Sequence, residues 1–198
     1  MNLRVEPFAG SQITEVLDDL ARLRITVFRE WPYLYEGSPE YESEYLRSYI
    51  VEQAVVAVAF DGNNVIGAST ALPLTAHADA VLPALHNAGI DPKLVYYFGE
   101  SVLLPEYRGK GIGHRFFDIR EQSARTHGYA WAAFCAVVRP ESHPLRPQNH
   151  VPHDAFWTKR GFIRHPEIVC QFSWKDVGDA TESAKDMVFW LKDLGKAQ

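Results

Sequence analysis

Cysteine is scarce in this chain: two among 198 residues, Cys135 and Cys170, each within an apolar run rather than in a spaced pair. That excludes a zinc site built from cysteines and makes buried free thiols the expectation in place of a disulfide. Long apolar runs are missing as well. None approaches the roughly 20 residues that a membrane-crossing helix needs, and the opening Met1-Asn2-Leu3-Arg4 lacks the charged-then-apolar order of a secretory leader. The expected location is the cytoplasm. Positive charge is not in excess either, since 20 Lys and Arg face 25 Asp and Glu, a formal net charge of -5. A surface with that balance repels a phosphate backbone, so neither nucleic acid nor a membrane is an expected partner. The densest basic spacing lies at Arg108 and Lys110, among glycines.

What is present is enough apolar mass for one core, 46% of the residues, and the chain reads as a single domain over 1–198. Leu3 to Phe8 reads as a first strand. Ile13, Val16, Leu17, Leu20, Leu23 and Val27 recur at three and four residues, which predicts a helix with one buried face. A loop rich in aromatics and turn residues follows from Trp31, then a short helix around Tyr45 to Ile50. Ala54 to Phe60 and Val65 to Leu72 read as a hairpin about Asp61-Gly62-Asn63-Asn64. A helical insertion is expected over about 73–93. Leu94 to Leu104 is the longest strand-like run, interrupted by Gly99, which in a strand marks a bulge or a close backbone approach. An amphipathic helix from Ile112, a buried strand from Trp131 to Val138, a short helix from Asp154 to Arg160 and strands at 168–174 and 187–191 complete the reading.

The order strand, glycines, helix carries the chemistry. A helix start leaves its first N–H groups unpaired and pointing outward, with the positive end of the dipole behind them. Gly109, Gly111 and Gly113 remove side chains that would hold a phosphate away, while Arg108 and Lys110 add cationic donors, an arrangement suited to a pyrophosphate. Two nucleotide motifs sharing these glycines fail. A dinucleotide fingerprint needs glycine where His114 stands, and a P-loop needs Ser or Thr where Gly111 follows Lys110.

The pattern that remains, Val102-Leu103-Leu104-Pro105-Glu106-Tyr107-Arg108-Gly109-Lys110-Gly111-Ile112-Gly113, resembles the acetyl-CoA motif of the GNAT acetyltransferase superfamily. The later Lys159-Arg160-Gly161-Phe162 falls in the family's order too. The resemblance implies an α/β fold of the α+β kind: a mixed, mostly antiparallel central sheet with a splayed central strand pair and helices on both faces. It implies acetyl-CoA as cosubstrate and no metal. It places the pyrophosphate on Arg108, Gly109, Lys110, Gly111, Ile112, Gly113 and His114, and lines the pantetheine path with Val102, Leu103 and Leu104. There a backbone N–H near Leu103 or Leu104 would meet the thioester carbonyl. Phe156 and Trp157 would flank the pantetheine end.

An amine is mostly protonated at neutral pH, so its attack on a thioester needs a proton acceptor. Glu100, on the strand that would line the wedge, is the candidate base; pairing with an arginine or facing solvent is the alternative. Many family members carry a tyrosine where this chain has Trp157, and indole cannot protonate the departing thiolate: either another group does so, with His153, His143, Tyr33 or Tyr35 as candidates, or the thiolate leaves assisted by water and nearby positive charge. Tyr33, Tyr35, Arg139 and His143 are the candidate acceptor-binding residues, with Arg146 beside them. Glu36, Glu40, Glu42 and Glu44 suit either an amine or a solvated acidic rim. Prolines at 144, 147 and 152 interrupt His143, His150 and His153, so no metal spacing arises there. The expected activity is transfer of acetyl from acetyl-CoA to a primary amine of a small molecule or peptide, with a homodimer allowed. The rivals are a non-catalytic acyl-CoA sensor, or the same fold using another acyl group or acceptor.

Overall fold

The computed structural model describes residues 2–76 and 81–195. Seven strands form one sheet in the order β1-β2-β3-β4-β5-β7-β6. They are β1 (Leu3–Ala9), β2 (Val55–Asp61), β3 (Asn64–Pro73), β4 (Val95–Leu103), β5 (Trp131–Val137), β6 (Ile163–Trp174) and β7 (Ser183–Asp193). Every neighbouring pair is antiparallel except β4–β5, and that parallel pair needs a crossover, which α4 (Ile112–Thr126) supplies. The sheet is therefore mixed and mostly antiparallel.

Side-chain alternation along the strands sends residues to two cores. On one face, α1 (Leu17–Phe28), α2 (Pro39–Leu46) and α3 (Leu82–Asn87) bury Leu20, Leu23, Leu46 and Leu85 against Val56, Val58, Tyr97 and Ala133. On the other, α4 and α5 (Asp154–Lys159) bring Phe117, Ala124, Phe156 and Trp157 against Val55, Tyr96, Phe98 and Phe134. Each large apolar side chain buried in this way stabilises the fold by about 1.5–3 kcal/mol. The glycine turn is tied to this second face by Ile112 and Phe116, packed with Ala57, Ala59 and Ile66.

α1 is preceded by a tighter turn of helix over Gly10–Val16, so the α-helix proper starts at Leu17 rather than Ile13. Ser38 caps α2, accepting from the Tyr41 N–H at 3.3 Å, and Pro39 occupies its first turn; the second helix thus lies earlier than the tyrosine spacing predicts. α3 buries Val81 and Leu85 in the main core; residues 77–80 of the expected insertion lie outside the described residues. Both cysteines are buried and free. They sit on β5 and β6 with β7 between, and their thiols share a hydrogen bond that, with burial, pushes the Cys135 thiol up.

Candidate active site

β4 runs into a short turn at Pro105–Tyr107, an extended Arg108, and then Gly109 and Gly111 at φ +75° and +81°. A Cβ at either glycine would meet nothing within 4 Å, so what the chain needs there is the left-handed backbone, not space. Gly111 is the N-cap of α4, and the His114 N–H donates back to its carbonyl at 3.1 Å. The N–H groups of Ile112 and Gly113 come before any carbonyl one turn back and open outward with the helix dipole behind them. Ile112 contributes its amide alone, because its side chain is core. A Cβ on Gly113 would come within 3.5 Å of Phe156, whose ring also meets the exposed His114 at 4.9 Å. Arg108 is half exposed, donating to Glu30 at 2.8 Å and to the Leu103 carbonyl at 3.3 Å, and the Lys110 ammonium lies 5.1 Å from the Tyr107 ring. These residues form a rim of outward-facing helix N–H groups flanked by two cationic side chains.

The parallel pairing of β4 with β5 stops at Tyr97–Ala133, although β4 continues to Leu103 and β5 to Val137. The two strands therefore splay from Phe98 onward, while β4 stays paired with β3 through Gly67–Leu103. Antiparallel alternation decides which β4 amides face the gap. The Leu104 N–H donates to the Ile66 carbonyl at 3.0 Å, so it belongs to β3, which corrects half of the expected carbonyl-binding pair. Leu103, one residue earlier, presents its backbone to the opened edge, as the bond from Arg108 to its carbonyl agrees.

A bulge sets the face of Glu100. Opposite β3 the register passes from Ser69–Ser101 to Ala71–Phe98, leaving one extra residue on β4. Val95 and Tyr97 look toward α1, and so do Val102 and Glu100, whereas Tyr96 and Phe98 look toward α4. Without the extra residue Glu100 would share the face of Phe98. Gly99 makes the bulge fit: a Cβ there would lie 2.4 Å from the Tyr49 hydroxyl and 2.5 Å from Thr70 Oγ1.

On the α1 face, against the point where the strands part, lies a cavity of about 120 Å³. β4 contributes Tyr97, Gly99 and Glu100, and β5 contributes Cys135; β6 and β7 supply Phe172, Trp174 and Met187. Arg24 and Phe28 of α1, Tyr41 and Tyr45 of α2, and Tyr33 and Tyr35 of the connecting loop complete its lining. Arg24 bridges two carboxylates, its Nε donating to Glu42 and its Nη1 to Glu100, all three side chains buried. Tyr45 donates to Glu100 Oε1 at 3.0 Å, and Thr70 to Oε2 at 2.6 Å. Burial raises the hydroxyls of Tyr33, Tyr35, Tyr45 and Tyr97 above the ordinary tyrosine value, with Cys135 and Glu100 adding to it for Tyr33 and Glu42 for Tyr35. They remain protonated at neutral pH, donors of hydrogen bonds but poor acids. His153, near the glycine turn, is held below the ordinary histidine value by desolvation and by the charges of His150 and Arg108.

The sequence profile of the Acetyltransferase (GNAT) family matches residues 20–146. The chain belongs to the GNAT acetyltransferase family. Solved structures share the GNAT fold over nearly all of it. An N-acetyltransferase from Staphylococcus aureus Mu50, 15% identical, superposes with a TM-score of 0.61 over 98% of this chain and 100% of its own. A Salmonella typhimurium protein determined with its cofactor acetyl-CoA, 13% identical, gives 0.62 over 100% and 97%. The PaiA N-acetyltransferase from Thermoplasma acidophilum in complex with coenzyme A, 16% identical, gives 0.54 over 98% and 99%. None of the curated proteins matches at a significant level.

Within this GNAT domain Leu103 and Glu100 lie on the splayed part of β4, the glycine turn follows it with Phe156 against its helix, and Tyr33 and Tyr35 line the cavity on the α1 face. Trp157 packs on Phe134 and Trp190, at 5.0 and 5.1 Å, over β5 and β7. Two expected acceptor residues do not line the cavity. Arg139 pairs with both oxygens of Asp176 at 2.6 and 2.9 Å and donates to the carbonyls of Pro32 and Tyr33, so it braces the wall from behind. His143 packs against Trp31, the two rings tilted with centroids 5.1 Å apart. Glu42, grouped above with a possible solvated rim, is fully buried. Among the described residues, no three His, Cys, Asp or Glu side chains gather as metal ligands would.

Arg24 went unnoticed in the sequence, yet its signal is there. It stands four residues from both Leu20 and Phe28, inside the buried stripe of α1, where an unpaired charge would not be tolerated. The far wall of Phe172, Trp174 and Met187 left no such mark, because apolar strand residues are the ordinary content of a core.

Proposed function

We propose that the chain transfers acetyl from acetyl-CoA to a primary amine by direct attack within a ternary complex. What carries the reading is the meeting of two unlike features at one splayed strand: an outward-facing helix start on one side and an open-mouthed cavity holding a buried carboxylate on the other. The pyrophosphate would rest on the amides of Ile112 and Gly113, with Arg108 and Lys110 at the rim. Acetyl-CoA supplies the thioester. Its carbonyl would accept from the Leu103 N–H at the opened edge, where a fixed donor stabilises the charge that develops on oxygen.

Glu100 takes the amine proton, directly or through a water. Its setting suits this: two carboxylates share one guanidinium, so Glu42, Arg24 and Glu100 together carry a net charge of -1, and gaining a proton brings the cluster to neutrality. The neutral amine nitrogen bonds to the carbonyl carbon, the carbon–sulfur bond breaks with its electron pair going to sulfur, and the second proton shed by nitrogen passes through water to the thiolate. Trp157 has no proton to give and the buried tyrosines hold theirs, but a thiol near pKa 8.5 is a tolerable leaving group without an acid.

The test is thiol release from acetyl-CoA in the presence of amines. Glu100→Gln keeps the shape and most hydrogen bonds, and kcat should fall about 10²–10⁴-fold with coenzyme affinity retained. Unchanged kcat in the folded variant removes Glu100 as the base. Binding without turnover for any amine in the wild-type protein favours a sensor.

A further inference from the structure

We infer that the acceptor is a compact monoamine with an apolar, one-ring body, an arylalkylamine rather than an amino acid, a polyamine or a peptide. The inference rests on the proposed transfer to an amine and concerns what the cavity admits. The cavity opens at its mouth, and its volume of about 120 Å³ is of the order of an engineered apolar cavity of about 150 Å³ that holds benzene, so the part of the acceptor that enters it is about one ring and a short arm. Eight of its thirteen lining residues are aromatic, which favours a flat apolar body.

Charge is confined to one end. Arg24 and Glu100 are the only charged residues in the lining, with Glu42 behind Arg24, and the cluster's net -1 is balanced by one ammonium. That ammonium would sit at the splay beside Glu100, among the tyrosine rings of the lining. The opposite wall, Phe172, Trp174 and Met187, offers a second cation no counter-charge, so a diamine would bury an unpaired ammonium. A carboxylate on the α carbon would meet a cluster that is already anionic, its one guanidinium shared between two carboxylates.

The experiment compares kcat/KM at saturating acetyl-CoA for 2-phenylethylamine, phenylalanine, putrescine, spermidine and a glycyl peptide. Phenylalanine differs from 2-phenylethylamine only by its carboxylate. The expected result is a preference for 2-phenylethylamine of at least about 100-fold over each of the others, near 2.7 kcal/mol at 1.36 kcal/mol per tenfold. Phe172→Ala should raise the KM for 2-phenylethylamine about tenfold and leave the KM for acetyl-CoA unchanged. Preferred turnover of phenylalanine, a polyamine or the peptide overturns this assignment while the transfer to amines stands. Coenzyme binding with no turnover of any amine overturns both.

Discussion

Gly99 does its work by what it lacks. Its hydrogen atoms leave room for the Tyr49 hydroxyl and Thr70 Oγ1, and both would lie within 2.5 Å of a Cβ. Gly99→Ala should therefore cost about 1–3 kcal/mol through overpacking, lowering the melting temperature by about 2–4 °C for each kcal/mol in a chain of this length. Because the strain falls on the bulge that turns Glu100 toward α1, the same variant should lose turnover while keeping coenzyme affinity. Calorimetric melting and titration with coenzyme A check both. The glycines of the turn are required for a different reason: 109 and 111 hold a left-handed backbone in open space, so a bulky or anionic side chain there acts on the ligand rather than on packing.

At the level of elements, much of the order was legible because periodicity and turn chemistry agreed. The hairpin of β2 and β3, the long β4, the glycine turn and α4 lie where apolar spacing, Asp61-Gly62 and the glycine run put them. The edges were less so, for identifiable reasons. β6 starts at Ile163, five residues before the apolar run, because Pro166 interrupts the ladder and the register shifts between His165 and Val169. β7 begins on the polar stretch Ser183–Asp186, whose only signal is its partner strand. The face of Glu100 could not be read from alternation alone, since a single extra residue reverses it; lone Gly99 in a β run was the clue. Arg139 was visible as a basic residue near the site but not its role, because its partner Asp176 lies 37 residues further on.

Over the whole molecule, the cavity wall is assembled from distant stretches of chain. Arg139 holds Pro32 and Tyr33 from the loop and Asp176 from the β6–β7 turn, while Trp174 donates to the Tyr33 carbonyl at 3.0 Å and Tyr35 bridges to Asp176. The side chains of the Arg139–Asp176 pair are only 9% and 12% exposed, and without Arg139 the carboxylate keeps Lys185, at 3.2 Å, but loses two of its hydrogen bonds; Arg139→Met should destabilise by about 1–3 kcal/mol. Desolvation alone would raise the Asp176 carboxyl, but hydrogen bonds and charge from Arg139 and then Lys185 outweigh it and hold it below the ordinary carboxylate value. A carboxyl lowered in the folded state contributes stability that is complete above the unfolded value near 3.9 and is lost as pH falls through the folded value. The wild-type protein should thus lose stability on acidification below about pH 4, and Asp176→Asn, less stable at neutral pH, should show a shallower loss there. Denaturant melts at pH 7, 4 and 3 measure the difference.

The central claim is that the start of α4 holds the coenzyme, and calorimetric titration of coenzyme A into wild-type protein and Gly111→Glu tests it most directly. A glutamate at the N-cap adds a negative charge and a side chain where the pyrophosphate would lie, against a backbone angle of +81°. The account predicts saturable binding by the wild type and none by the folded variant. Equal affinity in the two would contradict it.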